Sequence, residues 1–135
     1  MMSLPVRVIV DASAAVELVL RTAAGWRVDT ALRRASRLIA PSHLDAEVLS
    51  ALGRMSRAGD IAESVVEPAL RHLVTAPIMR FPAALLVHDA WALRHNIALR
   101  DALYVALARH LDARLVTADK RLARAPELGI SVTVV

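Results

Sequence analysis

Four acidic residues lie where the chain passes from one predicted element to the next. Asp11 directly follows an apolar run, and Asp119 follows a second one. Glu47 lies in the first turns of a predicted helix, and Asp101 lies in the first turn of another, where the helix dipole favours an anion. Because ligands of open α/β sheets bind beyond the carboxyl ends of the strands, we expect these four carboxylates to converge at one edge.

A cluster of four carboxylates predicts a particular chemistry. Carboxylates placed together repel one another and raise each other's pKa, so a fold keeps such a cluster only if a cation occupies it. With oxygen ligands, the fitting ions are Mg²⁺ or Mn²⁺, whereas Zn²⁺ prefers the Cys and His ligands that this pattern lacks. Two such ions about 4 Å apart can stabilise the attacking and leaving oxygens of a phosphodiester. The predicted reaction class is therefore metal-assisted phosphodiester hydrolysis.

Each of these residues also has a purely structural interpretation. A lone Asp at a strand end is usually a turn or cap residue, so the prediction depends on the coincidence of four acids. Ser13 is either the N-cap of a helix or a hydroxyl that orders Asp11. Thr117 is a β-branched strand residue or a supporting hydroxyl behind the acids. Lys120 is predicted to be exposed, and His43 is a further side chain near the same edge.

The elements that must position these residues follow from hydrophobic periodicity and turn signals. Predicted strands cover Val6–Val10, Leu38–Pro41, Ile78–Phe81, Leu115–Thr117 and Ile130–Val135. Predicted helices cover Ala14–Leu20, Gly25–Ala35, His43–Ala58, a segment opened by Asp60 and kinked at Pro68, Ala83–His95 and Leu99–Leu111. Strands that alternate with helices predict an α/β fold, a mainly parallel sheet covered on both faces, within a single domain over 1–135.

Composition narrows the protein class further. No apolar stretch reaches the roughly 18 residues of a membrane span, the first residues do not resemble a secretory signal, and there is no cysteine, which together predict a cytoplasmic protein. The net charge is +4, and 16 of the 17 basic residues are Arg, which pairs bidentately with phosphate. The hydrophobic fraction of 56% suggests apolar surface that is buried against a partner.

Two other classes of protein combine similar features. Phosphoacceptor receiver domains also place Asp residues at strand ends, with a Thr and a Lys nearby. They need an acidic pair next to the first strand and an Asp ending the middle strand, whereas here Ala12 and Ser13 follow Asp11, and Pro82 follows Phe81. A catalytically inactive RNA-binding or scaffold domain is the other alternative, although all four acids are present.

Four segments resemble the PIN domain, and most closely the VapC toxins of VapBC type II toxin–antitoxin systems. They are V-I-V-D-A-S at 8–13, A-E-V at 46–48, L-R-D-A-L-Y-V-A-L-A at 99–108 and T-A-D-K-R-L at 117–122. The resemblance covers nearly the whole chain. It implies a PIN-like three-layer α/β/α sandwich and an endoribonuclease that binds Mg²⁺ through the family's four acidic positions. Those positions match Asp11, Glu47, Asp101 and Asp119, with Ser13 and Thr117 at its hydroxyl positions.

The resemblance also implies partners for this chain. They are an RNA substrate, a VapB-like antitoxin whose tail lies across helices and covers the acids, and a second copy in a homodimer. The identity of the RNA, its cleavage site and the antitoxin do not follow from the sequence.

Overall fold

The computed structural model describes residues 6–33, 35, 37–125 and 128–135. Within these ranges the strands are β1 (Arg7–Val10), β2 (Arg37–Pro41), β3 (Ile78–Phe81), β4 (Arg114–Thr117) and β5 (Val132–Val134). They form one sheet in the order β3-β2-β1-β4-β5, and every pairing between neighbouring strands is parallel. The predicted parallel α/β sheet is thus confirmed.

The strand order creates a reversal in the middle of the sheet. The chain adds β2 and β3 on one side of β1, then crosses back and adds β4 and β5 on the other side. Val10 pairs with Val116, so the carboxyl ends of β1 and β4 are side by side. In doubly wound sheets, the crevice beyond such a reversal is where ligands bind.

Two groups of helices cover the sheet and complete the three-layer α/β/α sandwich. The helices are α1 (Ala12–Leu20), α2 (Ala23–Leu32), α3 (Leu44–Arg57), α4 (Val66–Thr75), α5 (Val87–Ala92), α6 (Leu99–Leu111) and α7 (Lys120–Arg124). Helix α1 packs against α2, α3 and α4, whereas α5 packs against α6. None of the described helices is both long enough and apolar enough to cross a lipid bilayer.

Close packing holds α6 against the sheet and α2 against α1. Helix α6 buries the continuous stretch Tyr104–Ala108, because it lies against β1, β2 and β4. Gly25 of α2 faces the backbone of α1 so closely that a Cβ there would lie 2.2 Å from the carbonyl oxygen of Glu17. A glycine is therefore required where α2 turns back onto α1.

Neither Ser13 nor Asp60 starts a helix as predicted, and α2 begins at Ala23, two residues before the predicted Gly25. Helix α1 begins at Ala12, before Ser13, because the carboxylate of Asp11 accepts a hydrogen bond from the Ala14 N–H and acts as the N-cap. Asp60 does not open a helix, since its own N–H donates to the carbonyl of Met55 and closes the end of α3. A 3-10 turn over Glu63–Val65 precedes α4 instead.

Two further predictions fail for local reasons, and one short helix has no predicted counterpart. Pro68 causes no kink, because it lies in the first turn of α4, where its missing N–H removes no helical hydrogen bond. The predicted helix Ala83–His95 divides into a 3-10 turn, Ala83–Leu86, and the short α5, which ends in tight turns. Helix α7 was not predicted, because five residues are too few for a periodic pattern.

Candidate active site

Asp11 is buried where β1 ends, with only 5% of its surface exposed. Among the described residues, its carboxylate accepts hydrogen bonds from Ser13 Oγ at 2.7 Å, Ala14 N at 3.0 Å and Thr117 Oγ1 at 2.5 Å. Burial raises the pKa of Asp11 above its ordinary value, although these hydrogen bonds act in the opposite direction. The side chain is therefore a fixed, strongly desolvated acid.

Two hydroxyls join the end of β1 to the end of β4. Ser13 Oγ accepts a hydrogen bond from the Ala118 N–H at 3.0 Å, and Thr117 Oγ1 accepts one from the Asp119 N–H at 2.9 Å. Both hydroxyls also contact Asp11. Of the two interpretations of Ser13, the structure supports the ordering of Asp11 and not the N-cap. Thr117 is fully buried and serves both as a strand residue and as a hydroxyl behind the acid.

Asp119 caps α7 and makes an ion pair. Its carboxylate accepts a hydrogen bond from the Arg121 N–H at 2.9 Å and lies 3.2 Å from the guanidinium Nη2 of the same residue. The Arg121 side chain thereby lowers the pKa of Asp119. Lys120 between them is exposed, as predicted. Asp119 thus carries a stable negative charge at the rim of the β1–β4 crevice.

Glu47, in the first turn of α3, is held by side chains from two helices. Its Oε1 lies 3.0 Å from His43 Nε2 and accepts a hydrogen bond of 2.6 Å from the Tyr104 hydroxyl, while Arg100 Nε lies 3.9 Å from Oε2. Burial disfavours ionisation of Glu47, but these hydrogen bonds and nearby charges outweigh it and lower its pKa. Burial and the adjacent carboxylate raise the pKa of Tyr104 far above its ordinary value, so its hydroxyl keeps its proton.

Asp101 differs from the other three acids in its lack of hydrogen-bond donors among the described residues. It lies half-buried in the first turn of α6, and no described residue donates a hydrogen bond to its carboxylate. Burial is the main cause that raises the pKa of Asp101; Arg100 opposes it, and the charges of Glu47 and Asp119 add to it. Burial therefore disfavours the ionised form of this carboxylate more strongly than Arg100 favours it.

All four predicted acids line one cavity of about 210 Å³, which we call the acidic pocket. Its carboxylates come from the ends of β1 and β4 and from the first turns of α3 and α6, as predicted. Ser13 also lines it, and Arg54, Arg100 and Arg121 add positive charge around it. The structure thus brings the predicted residues together, with cations at the rim.

The residues of the acidic pocket fit a hard divalent cation by donor chemistry. Carboxylate oxygens are the ligands that Mg²⁺ and Mn²⁺ prefer. Burial is the main cause that raises the pKa of Asp101, and the charges of Glu47 and Asp119 add to it. Within the described residues, however, no set of three or more His, Cys, Asp or Glu side chains is already arranged to hold an ion. Two of the acids are turned toward the chain's own donors, Glu47 toward Tyr104 and Asp119 toward Arg121.

Sequence reasoning missed three residues that shape the pocket. The sequence places His43 near the carboxyl edge of the sheet without assigning it a contact, whereas in the structure it contacts Glu47. Its position four residues before Glu47, on the same helical face, could have indicated this contact. Tyr104 lies one turn after Asp101, a spacing that places both on one side of α6. No pattern in the sequence indicates the role of Arg121, because α7 itself was not predicted.

The parallel sheet with acids at its central reversal defines an α/β protein with a carboxylate-lined ligand pocket. The chain belongs to the PIN domain family, whose family model matches residues 8–128. The receiver-domain interpretation is therefore wrong.

Named relatives share most of the chain. Ribonuclease VapC3 of Mycobacterium tuberculosis is 46% identical over 90% of this chain and 88% of its own length. Ribonuclease VapC1 of the same species is 41% identical over 94% of this chain and 96% of its own length. The predicted resemblance to VapC proteins is thus confirmed.

Two solved structures show the same fold at lower identity. VapBC2 from Rickettsia felis, bound to a DNA fragment from its promoter, contains a chain with a TM-score of 0.67 and 13% identity, and the match covers 95% of this chain and 98% of that one. PAE2754 from Pyrobaculum aerophilum gives a TM-score of 0.65 and 22% identity over 94% of this chain and 89% of that one.

Proposed function

We propose that this chain is a metal-dependent endoribonuclease and the toxin of a VapBC-type toxin–antitoxin pair. The observation that carries the proposal is the acidic pocket, in which carboxylates from four separate elements meet in a chain 46% identical to a named VapC ribonuclease. Burial and the charges of Glu47 and Asp119 disfavour the ionised form of Asp101, and a bound cation would offset both effects.

The residues of the acidic pocket have distinct parts in this proposal. Asp11, Glu47, Asp101 and Asp119 would hold Mg²⁺ or Mn²⁺, which when bound supplies an activated water and positive charge for the phosphate. The hydroxyls of Ser13 and Thr117 keep the Asp11 carboxylate in one orientation. This fixed orientation reduces the reorganisation that binding and reaction require.

The basic rim explains how an acidic pocket can receive a polyanion. Arg54, Arg100 and Arg121 border the acids, and the chain carries a net charge of +4. Guanidinium groups bind phosphates bidentately, so RNA can be held by its backbone while one phosphodiester lies over the carboxylates. Since few aromatic residues are available for base stacking, backbone contacts are expected to dominate RNA binding.

Exposed apolar side chains support the part of the proposal that concerns protein partners. Trp26 of α2, Val74 of α4 and Trp91 of α5 are each more than half exposed. In our proposal an antitoxin covers part of this surface and places a basic side chain at the acidic pocket, and a second copy of the chain covers another part. The similar VapBC2 structure, which contains a chain of this fold, is consistent with an antitoxin partner.

The test is cleavage of mixed cellular RNA by the purified chain, with Mg²⁺, with Mn²⁺ and with excess EDTA. We expect cleavage with either ion and none with the chelator. Asp101→Asn serves as the site control and should abolish cleavage. Full activity in excess EDTA would contradict the metal proposal, whereas RNA binding without cleavage under every condition would favour the inactive scaffold alternative.

A further inference from the structure

The two oxygens of Glu47 have different environments. Oε1 receives the Tyr104 hydroxyl at 2.6 Å and His43 Nε2 at 3.0 Å. Oε2 faces Arg100 Nε at 3.9 Å, a distance too long for a hydrogen bond. The Tyr104 hydroxyl and the His43 ring nitrogen both lie against Oε1, whereas no described residue donates a hydrogen bond to Oε2.

The contacts of His43 place a protonated ring nitrogen beside Glu47. Its Nε2 hydrogen-bonds at 3.2 Å to the carbonyl oxygen of Arg100, which can only accept, so the proton is on Nε2. Glu47 Oε1 lies 3.0 Å from the same nitrogen. Its Nδ1 is buried and has no partner among the described residues, and a bare lone pair there is less costly than a stranded N–H. The ring also packs on Tyr104, with centroids 4.8 Å apart.

We propose that His43 and Tyr104 are positioning residues that occupy Oε1 of Glu47 and present Oε2 to the acidic pocket as a single metal ligand. This inference rests on the proposed function, since it concerns how one acid meets the ion. Tyr104 is 1% exposed within α6, and His43 immediately precedes α3, so the two donors join two helices across Glu47. One oxygen is thereby fixed and the other is left for the cation.

The arrangement predicts a one-oxygen contact from Glu47 to a bound ion. A two-oxygen contact would require the loss of both donors to Oε1, including the short Tyr104 hydrogen bond. Partners that orient a metal-binding side chain typically contribute 10–100-fold to metal affinity. We therefore expect loss of either donor to weaken metal binding by about tenfold or more, with little change in the metal-free fold.

The experiment is calorimetric titration of the metal-free, full-length chain with Mn²⁺ in the absence of RNA. Tyr104→Phe removes only the hydroxyl. His43→Leu removes the donor, whereas His43→Gln keeps an amide N–H at nearly the position of Nε2. Glu47→Gln serves as the reference for a lost ligand, and His88→Leu, at an exposed position on α5, is the control for a histidine replaced elsewhere. Melting curves in EDTA check that each variant is folded.

The inference is supported if Tyr104→Phe and His43→Leu weaken Mn²⁺ binding by about tenfold or more while His43→Gln and His88→Leu stay near wild type. If Tyr104→Phe fails to fold, the comparison of His43→Leu with His43→Gln decides. Wild-type affinity in both donor variants, beside weakened binding by Glu47→Gln, overturns the positioning role but leaves the proposed function standing. A wild-type chain that neither binds Mn²⁺ nor cleaves RNA overturns both.

Discussion

Replacement of Thr117 by valine should destabilise the protein and should do so in a pH-dependent way. Valine keeps the shape of threonine and removes only the hydroxyl. That hydroxyl donates to the buried carboxylate of Asp11 and accepts from the Asp119 N–H, a contact that is partly buried. The substitution therefore takes a donor from a buried carboxylate and leaves a backbone N–H without its acceptor.

The size of the effect follows from these two contacts. A hydrogen bond to a charged group contributes about 1.5–3 kcal/mol, and an unsatisfied buried N–H costs about 1–3 kcal/mol. Because neighbouring losses do not add fully, we expect a net loss of roughly 3 kcal/mol of unfolding free energy. For a chain of this length that corresponds to a fall in Tm of roughly 10 °C. The protein should remain folded, since domains usually have about 5–15 kcal/mol of stability.

The pH dependence has a definite sign. Burial already raises the pKa of Asp11 above its ordinary value, and the lost donor should raise it further. The penalty for an ionised Asp11 is fully present above its pKa in the folded chain and is relieved as the pH falls toward the ordinary Asp value of about 3.9. The difference between Thr117→Val and wild type should therefore shrink on acidification.

Chemical unfolding in EDTA at a series of pH values measures this difference, with Thr117→Ser as the matched control that keeps the hydroxyl. The control should lose less than the valine variant, and its loss should vary little with pH. Equal stability of Thr117→Val and wild type at neutral pH would refute the account of Asp11 as a buried acid that depends on this hydroxyl.

Three further predictions test other parts of the structure. Asp101→Asn should leave the metal-free chain at least as stable, because it removes a charge that burial and the neighbouring acids disfavour. It should also lower RNA cleavage by orders of magnitude; a sharp fall of the melting temperature in EDTA would make Asp101 structural. Gly25→Ala should lose several kcal/mol through collision with Glu17, whereas Gly53→Ala, which meets only the flexible Arg57 side chain, should be nearly neutral in thermal melts. Crosslinking of a copurified antitoxin should place an Arg beside the acidic pocket, and an inhibitory antitoxin that binds far from the pocket would contradict this.

The parallel sheet and the location of the four acids could be predicted from the sequence, because both depend on strong local signals. Apolar strands followed by Asp11 and Asp119 locate the edge of the sheet where the acids meet. The periodic helix predicted over Leu99–Leu111 has the observed bounds of α6. Asp11 differs from the prediction in one respect, since it also caps α1 and so replaces Ser13 in that role.

The contacts that tune the acids could not be predicted, because they are formed between distant segments. The approach of Tyr104 to Glu47 joins α6 to α3 across 57 positions, and no local pattern specifies it. The pairing of Arg121 with Asp119 depends on a helix of five residues, which leaves no periodic trace. Position at a strand end thus predicts which residues meet, whereas their electrostatic state depends on side chains from the rest of the fold.

The hydrogen bond between Thr117 and Asp11 spans 106 positions of a chain of 135 residues, which has a consequence for synthesis. During translation, β1 is made long before β4, although the two strands are neighbours in the sheet. Until that later segment has emerged from the ribosome, Asp11 has the local donors Ser13 and Ala14 but lacks the Thr117 hydroxyl, and β1 cannot pair with β4. The nuclease activity proposed for this chain therefore arises only after β4 has been made, and shortened products that stop before Thr117 are expected to be inactive.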